Sequence, residues 1–100
     1  MKTLVFVKDL FFRVKIEAEL KSIKADFEFV NSLDSVIGEF DYLILDLEEE
    51  ESLETARKFP EKVLGFCSHK NTELIKKAKE LGCKVYPRSV FFKKLEKIIL

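Results

Sequence analysis

Three polar residues stand at the ends of apolar runs, where side chains of their types can do chemistry. Asp46 closes the run Tyr42-Leu43-Ile44-Leu45, Asp9 follows Thr3–Val7 with Lys8 between, and Ser68 follows Lys62–Cys67. A carboxylate so placed either caps the next helix or holds a cation, and a hydroxyl can cap as well. Beside Asp46 runs Glu48-Glu49-Glu50-Glu51. These four acids read as the start of a helix to about Phe59, where the positive end of the dipole offsets their repulsion. The alternative is a metal-binding acidic loop. His69, the only histidine, has no partner ligand in view. Cys67 and Cys83 show neither C-x-x-C spacing nor a paired metal motif, and read as small buried residues of a reducing compartment.

The elements that must position these residues alternate in type. Tyr42–Leu45 is apolar without alternation, which marks a strand covered on both faces and hence the centre of a parallel α/β sheet. Open sheets of this kind gather their chemistry at the carboxyl ends of the strands, so a site belongs around Asp46. Thr3–Val7 is a second buried strand. Asp9 then caps a helix with Phe12, Ile16, Leu20 and Ile23 on one stripe, and Phe11, Val14 and Ala18 on a second stripe beside it, read as part of a wide core face, the alternative being an apolar surface left for a partner helix. Asp26–Val30 is an edge strand with Phe27 and Phe29 on one face. Ser32 offers a cap for a small helix with Leu33, Val36, Ile37 and Phe40 inside. Pro60 helps to stop the helix after Asp46, and Lys62–Cys67 is the fourth strand. Asn71 or Ser68 caps a helix through Leu74, Ile75, Ala78 and Leu81, ended by Gly82. Lys84–Tyr86 is a short fifth strand, and Ser89 caps the last helix, with Phe91 or Phe92, Leu95, Ile98 and Ile99 inside. Five βα units with short connections imply right-handed crossovers and a doubly wound, three-layer α/β/α fold of the flavodoxin type, strand order 2-1-3-4-5.

Composition sets outer bounds. One hundred residues, 47% hydrophobic and 36% charged, make one folded domain over 1–100. No apolar run approaches the roughly 20 residues of a membrane span and no secretory pattern opens the chain, so the expected location is cytoplasmic, away from the membrane. A formal net charge of zero argues against a general nucleic-acid binder. From Lys70 onward there are nine bases and three acids, read as a solvated face of the last two helices. The dominance of Lys and Glu, with no Gln or Trp, resembles thermophile proteins.

On the expected strand order Asp9, Asp46 and Ser68 share one rim. Here the chain resembles the receiver domains of two-component response regulators (CheY-like proteins), through all five βα units. That family carries an acidic pair after strand one, a phosphate-accepting Asp ending strand three, Ser or Thr ending strand four, and an aromatic in strand five with Lys-Pro three residues on. The resemblance implies its chemistry: Mg²⁺ held by carboxylates, attack by the Asp, and a Lys and a hydroxyl clamping the new phosphate oxygens. Asp46 falls on the phospho-acceptor, Ser68 on the hydroxyl, Asp9 on the second member of the acidic pair, and Tyr86 on the aromatic of the output face. Two positions depart. Lys8 replaces the first acid and, directed into the rim, would pair with Asp46 or Asp9. Ser89-Val90 replaces Lys-Pro and removes the clamp. Arg88 is adjacent, but strand alternation turns it to the opposite face, so it is not counted as a substitute.

The resemblance thus implies a stand-alone, degenerate receiver-like (pseudo-receiver) signalling or protein-interaction domain rather than an enzyme, with phosphorylation at Asp46 weak or absent. It would carry no cofactor, or Mg²⁺ held weakly by Asp9 and Asp46. Its partner would be a protein: a kinase or phosphotransfer protein docking near Phe11 and Val14, or an output protein. A homodimer through the apolar stripes of the first and last helices also fits. The alternatives are a working Mg²⁺-dependent phospho-acceptor, with Glu48 as an added ligand, and a small-molecule binder or enzyme subunit using the same rim. Gly38, Gly65 and Gly82 form no phosphate loop for a nucleotide.

Overall fold

The computed structural model describes residues 2–32, 34, 36 and 38–99. Five parallel strands, β1 (Lys2–Phe6), β2 (Asp26–Phe29), β3 (Tyr42–Asp46), β4 (Val63–Cys67) and β5 (Lys84–Pro87), form one sheet in the order β2-β1-β3-β4-β5. Four helices accompany them among the described residues: α1 (Leu10–Ser22), α2 (Ser52–Lys58), α3 (Thr72–Glu80) and α4 (Arg88–Ile99). The registers Phe6 with Leu45 and Asp46 with Phe66 bring the ends of β1, β3 and β4 side by side. This is the doubly wound, flavodoxin-like arrangement expected from the pattern.

Strand alternation divides the apolar residues into two layers. Leu4, Phe6, Leu43, Leu45, Val63 and Cys67 face one side and bury Ala56 of α2 and Ala78 of α3. Val5, Ile44, Leu64 and Phe66 face the other and bury Ile16 and Leu20 of α1 and Phe91, Leu95 and Ile99 of α4. The stripe Phe12, Ile16, Leu20 and Ile23 therefore lies inward, as do the stripes of α3 and α4, whereas Phe11, Val14 and Ala18, expected to widen the core face, remain exposed on α1 together with Leu10.

The caps follow the same local chemistry. Asp9 accepts a hydrogen bond from the Phe12 N–H at 3.1 Å, and Asn71, rather than Ser68, accepts from Leu74 N–H at 3.3 Å. Gly82, at φ +94°, follows the last turn of α3 in the left-handed region that only glycine enters without cost.

Three expected elements differ. Between β2 and β3 no α-helix forms among the described residues. Leu33 and Ile37 lie outside them, whereas Val36 and Phe40 are buried in the first layer as expected of inner positions. The Ser32 hydroxyl accepts from Asp34 N–H at 3.2 Å, a local turn of the kind that competes with helix. The run Glu48–Glu51 does not open a helix either. It forms turns, α2 starts at Ser52, and Glu51 takes φ +73°. Repulsion among adjacent acids and the early descent of Leu47 into the core keep this stretch out of the helix. Finally, α4 begins at Arg88, directly after β5, so Ser89 lies inside its first turn instead of capping it.

Candidate functional site at the strand ends

Asp46 is the centre of the rim and is only 4% exposed. Its Oδ1 accepts from the Glu48 N–H at 3.1 Å, and its backbone carbonyl accepts from Glu49 N–H at 3.0 Å, so the chain turns tightly over it. Burial pushes its carboxyl up from the usual 3.8 to about 6, and the carboxylates of Glu49 and Asp9 add to the rise while Arg88 opposes it. That opposition locates the Arg88 cation near Asp46, and the repulsion locates the Asp9 carboxylate there as well.

Arg88 reaches into the rim. Its Nη2 pairs with Glu48 Oε2, its Cζ lies 5.1 Å from the centre of the Phe12 ring, and its Nε is buried without a partner among the described residues. The expectation that strand alternation would turn Arg88 away is therefore corrected. Arg88 is the first residue of a helix, and the period-two rule stops at Pro87. The signal that could have revealed it is Pro87 itself, since a strand running straight into a helix redirects the next side chain.

The same Glu48 oxygen accepts from the Ser68 N–H at 3.3 Å. The Ser68 hydroxyl instead accepts from the Lys70 N–H at 3.3 Å, closing a turn after β4. Glu48 thus links the ends of β3, β4 and β5. Lys8 makes no ion pair with Asp46 or Asp9. Its Nζ lies 5.7 Å from the Phe6 ring centre, and the side chain is exposed. Ser89 is exposed and lines an open groove of about 420 Å³ between α1 and α4, with Lys15, Ala18, Glu19, Phe92 and Lys93, away from Asp46. Tyr86 is half-buried with its ring centre 6.1 Å from that of Phe91. His69 is exposed. The structure therefore unites Asp46, Asp9 and Ser68 with Arg88 and Glu48, and leaves Ser89 and His69 outside.

As a donor set for Mg²⁺ the rim fits poorly. Glu48 is engaged by a guanidinium, and Lys8 stands where a further carboxylate would be needed. Among the described residues no three His, Cys, Asp or Glu side chains group around a common point. No helix among the described residues is long and apolar enough to cross a membrane.

No protein-family model and no curated protein matches the chain. Its fold is nevertheless similar to that of solved response regulators. A response regulator from Thermotoga maritima superposes with a TM-score of 0.73 at 17% identity, covering 98% of this chain and 96% of that one. A CheY-like response regulator protein from Mesorhizobium loti gives 0.70 at 12% identity, covering 98% and 94%. The chain therefore has the receiver-like fold of CheY-type proteins.

Proposed function

We propose that this chain is a receiver-like signalling and protein-interaction domain of two-component type, in which phosphorylation at Asp46 is weak or absent. One observation carries the reading: within a receiver-like fold, the rim is closed by its own ion pair, Arg88 with Glu48, beside the buried Asp46. A phospho-acceptor needs an ionised nucleophile and a cation to offset the incoming charge. Here the Arg88 guanidinium is already engaged by Glu48, and the Lys8 ammonium lies 5.7 Å from the Phe6 ring centre without pairing with Asp46. The domain would then act through its surfaces. The exposed apolar residues Phe11 and Val14 of α1, and the Lys-rich α3 and α4 with Tyr86, are the faces available to a protein partner.

The test is a titration of the purified protein with Mg²⁺ and beryllofluoride, followed by amide NMR. Spectra unchanged at Asp9, Asp46 and Ser68 through several millimolar Mg²⁺ are expected. Saturable shifts centred on those three residues would instead establish a working phospho-acceptor.

A further inference from the structure

We infer that α1 pairs with α1 of a second copy of this chain, antiparallel about a two-fold axis that passes close to Val14. Among the described residues the large apolar side chains left exposed are Leu10, Phe11 and Val14, at 73%, 65% and 69%. All three lie in the first two turns of α1, whose other side buries Ile16 and Leu20 completely. The helix is thus apolar on both sides, as a helix packed between two layers is. Leu10, Val14 and Ala18 follow one another at four-residue spacing and form the outer ridge, with Phe11 beside it.

The adjoining row of charges selects the occupant. Asp9, Arg13, Glu17 and Lys21, also four residues apart, alternate in sign along the helix. Reversed end to end, the row meets its own opposite: Asp9 falls on Lys21, and Arg13 on Glu17. Two copies related by a two-fold axis across the helix align the rows in this way, so each opposite-charge pair forms twice. The same reversal sets Val14 on Val14 and Leu10 on Ala18. The apolar and charged rows ask for axes only one residue, about 1.5 Å, apart. Within the chain, among the described residues, Glu17 pairs with Lys21 at 3.2 Å, while Arg13 makes no ion pair and lies over the Phe29 ring.

Shape agrees with charge. Phe11 projects, while Ala18, seven residues on, borders the groove of about 420 Å³ between α1 and α4. Seven residues span about 10 Å of helix, and an axis midway lays the Phe11 ring of each copy on Ala18, at the mouth of the other's groove. Lys15 is brought near its own counterpart at the axis. Its ammonium is drawn aside by the rings of Phe11 and Phe92, 4.6 and 5.4 Å from their centres. A helix of 13 residues is about 20 Å long, so the contact falls below the roughly 800 Å² per partner of a standard interface. The dimer is accordingly weak and reversible. It gives the α1 surface of the reading above a partner, and it needs neither metal nor phosphoryl group.

The experiment is sedimentation of the natural chain from roughly 10 μM to 1 mM, where a reversible monomer–dimer equilibrium is expected. Val14→Asp sets two carboxylates on the axis, and Phe11→Ala removes the projecting ring. Each should weaken the dimer roughly tenfold or more. Arg13→Glu and Glu17→Arg each place like charges opposite one another, and each alone should stay monomeric where the natural chain dimerises. Their equimolar mixture should regain the dimer, because every reversed charge then meets its opposite on the other chain, and added salt should weaken it again. The inference is overturned if the natural chain remains a monomer throughout, in which case a different protein covers the stripe. It is overturned equally if Val14→Asp and Phe11→Ala leave a dimer intact, or if the mixture associates no better than its components. Amide NMR checks the fold of every variant. Should Arg13→Glu not fold, since Arg13 also supports Phe29, Val14→Asp at its exposed position decides. The beryllofluoride titration reads Asp46 and not α1, so either proposal can fail alone.

Discussion

Leu47 occupies the space that a side chain on Gly65 would need. A Cβ at Gly65 would lie 2.6 Å from Leu47 Cδ1 and 2.8 Å from its Cγ. Leu47 is 3% exposed and its N–H is bonded to the Phe66 carbonyl at 2.9 Å, so it has little room to retreat. This interlock sets the chain direction just after Asp46 and so helps to place the rim. Gly65→Ala should therefore destabilise the fold by about 1–3 kcal/mol, the usual cost of overpacking a core. Urea unfolding measures it. Adding Leu47→Ala should recover part of the loss, so the double variant should be more stable than the sum of the single effects implies. Strict additivity would mean that the two residues do not meet.

Asp46 makes a prediction about pH. Its folded carboxyl titrates at about 6 against an ordinary 3.8, so the folded state binds the proton more tightly than the unfolded state. Stability must then fall as pH rises from about 4 to about 6, and stay lower above that window. Each pH unit is worth about 1.4 kcal/mol, so ionised Asp46 costs the fold on the order of 2–3 kcal/mol at neutral pH. Asp46→Asn should raise stability by about that amount at pH 7, because its carbonyl can still accept from the Glu48 N–H. It should also flatten the pH dependence between 4 and 6. An unchanged slope in the variant would assign the titration to another group.

The pairing of Arg88 with Glu48 spans 40 residues of sequence, and both side chains are roughly one-third exposed. Water screens such a pair, so its coupling energy in a double-mutant cycle with alanine should be near 1 kcal/mol and should shrink in molar salt. Arg88→Ala should cost more than Glu48→Ala, because it also removes the guanidinium from the Phe12 face, worth about 0.5–1 kcal/mol. Equal costs would show that the stacking contributes nothing.

The sheet was legible because it rests on patterns with one reading. Tyr42–Leu45 and Thr3–Val7 are too apolar to be anything but doubly covered strands, and Asp9 and Asn71 stand where caps are needed. Asp46, Asp9 and Ser68 followed from the strand order alone. What stayed hidden depended on side-chain direction. Lys8 turns toward Phe6 instead of the acids, and Arg88 escapes the strand period by starting a helix. Glu48 to Glu51 had a plausible helix-dipole role, yet the turn over Asp46 claimed the backbone first. In each case a simple period or propensity rule met a local change of backbone or a side-chain contact that the linear sequence does not display.

Phe11 and Phe12 are neighbours with opposite environments, which gives a sharp control on which face of α1 is free. Phe12 packs with ring centres 5.9 Å from Phe66 and 5.5 Å from Phe92 and supports the Arg88 guanidinium. Phe11 is 65% exposed, with the Lys15 ammonium 4.6 Å and the Phe12 ring centre 6.2 Å from its ring centre. Phe12→Ala should cost about 3–5 kcal/mol, as for other buried aromatics, or somewhat less because Phe12 is only partly covered. Phe11→Ala should lie within about 0.5 kcal/mol of the natural chain, the range of ordinary surface changes. Thermal unfolding of the two variants side by side is the check. A large loss for Phe11→Ala in dilute protein would require that its face be covered within the monomer. A loss that appears only at high protein concentration would mean that a second copy covers it.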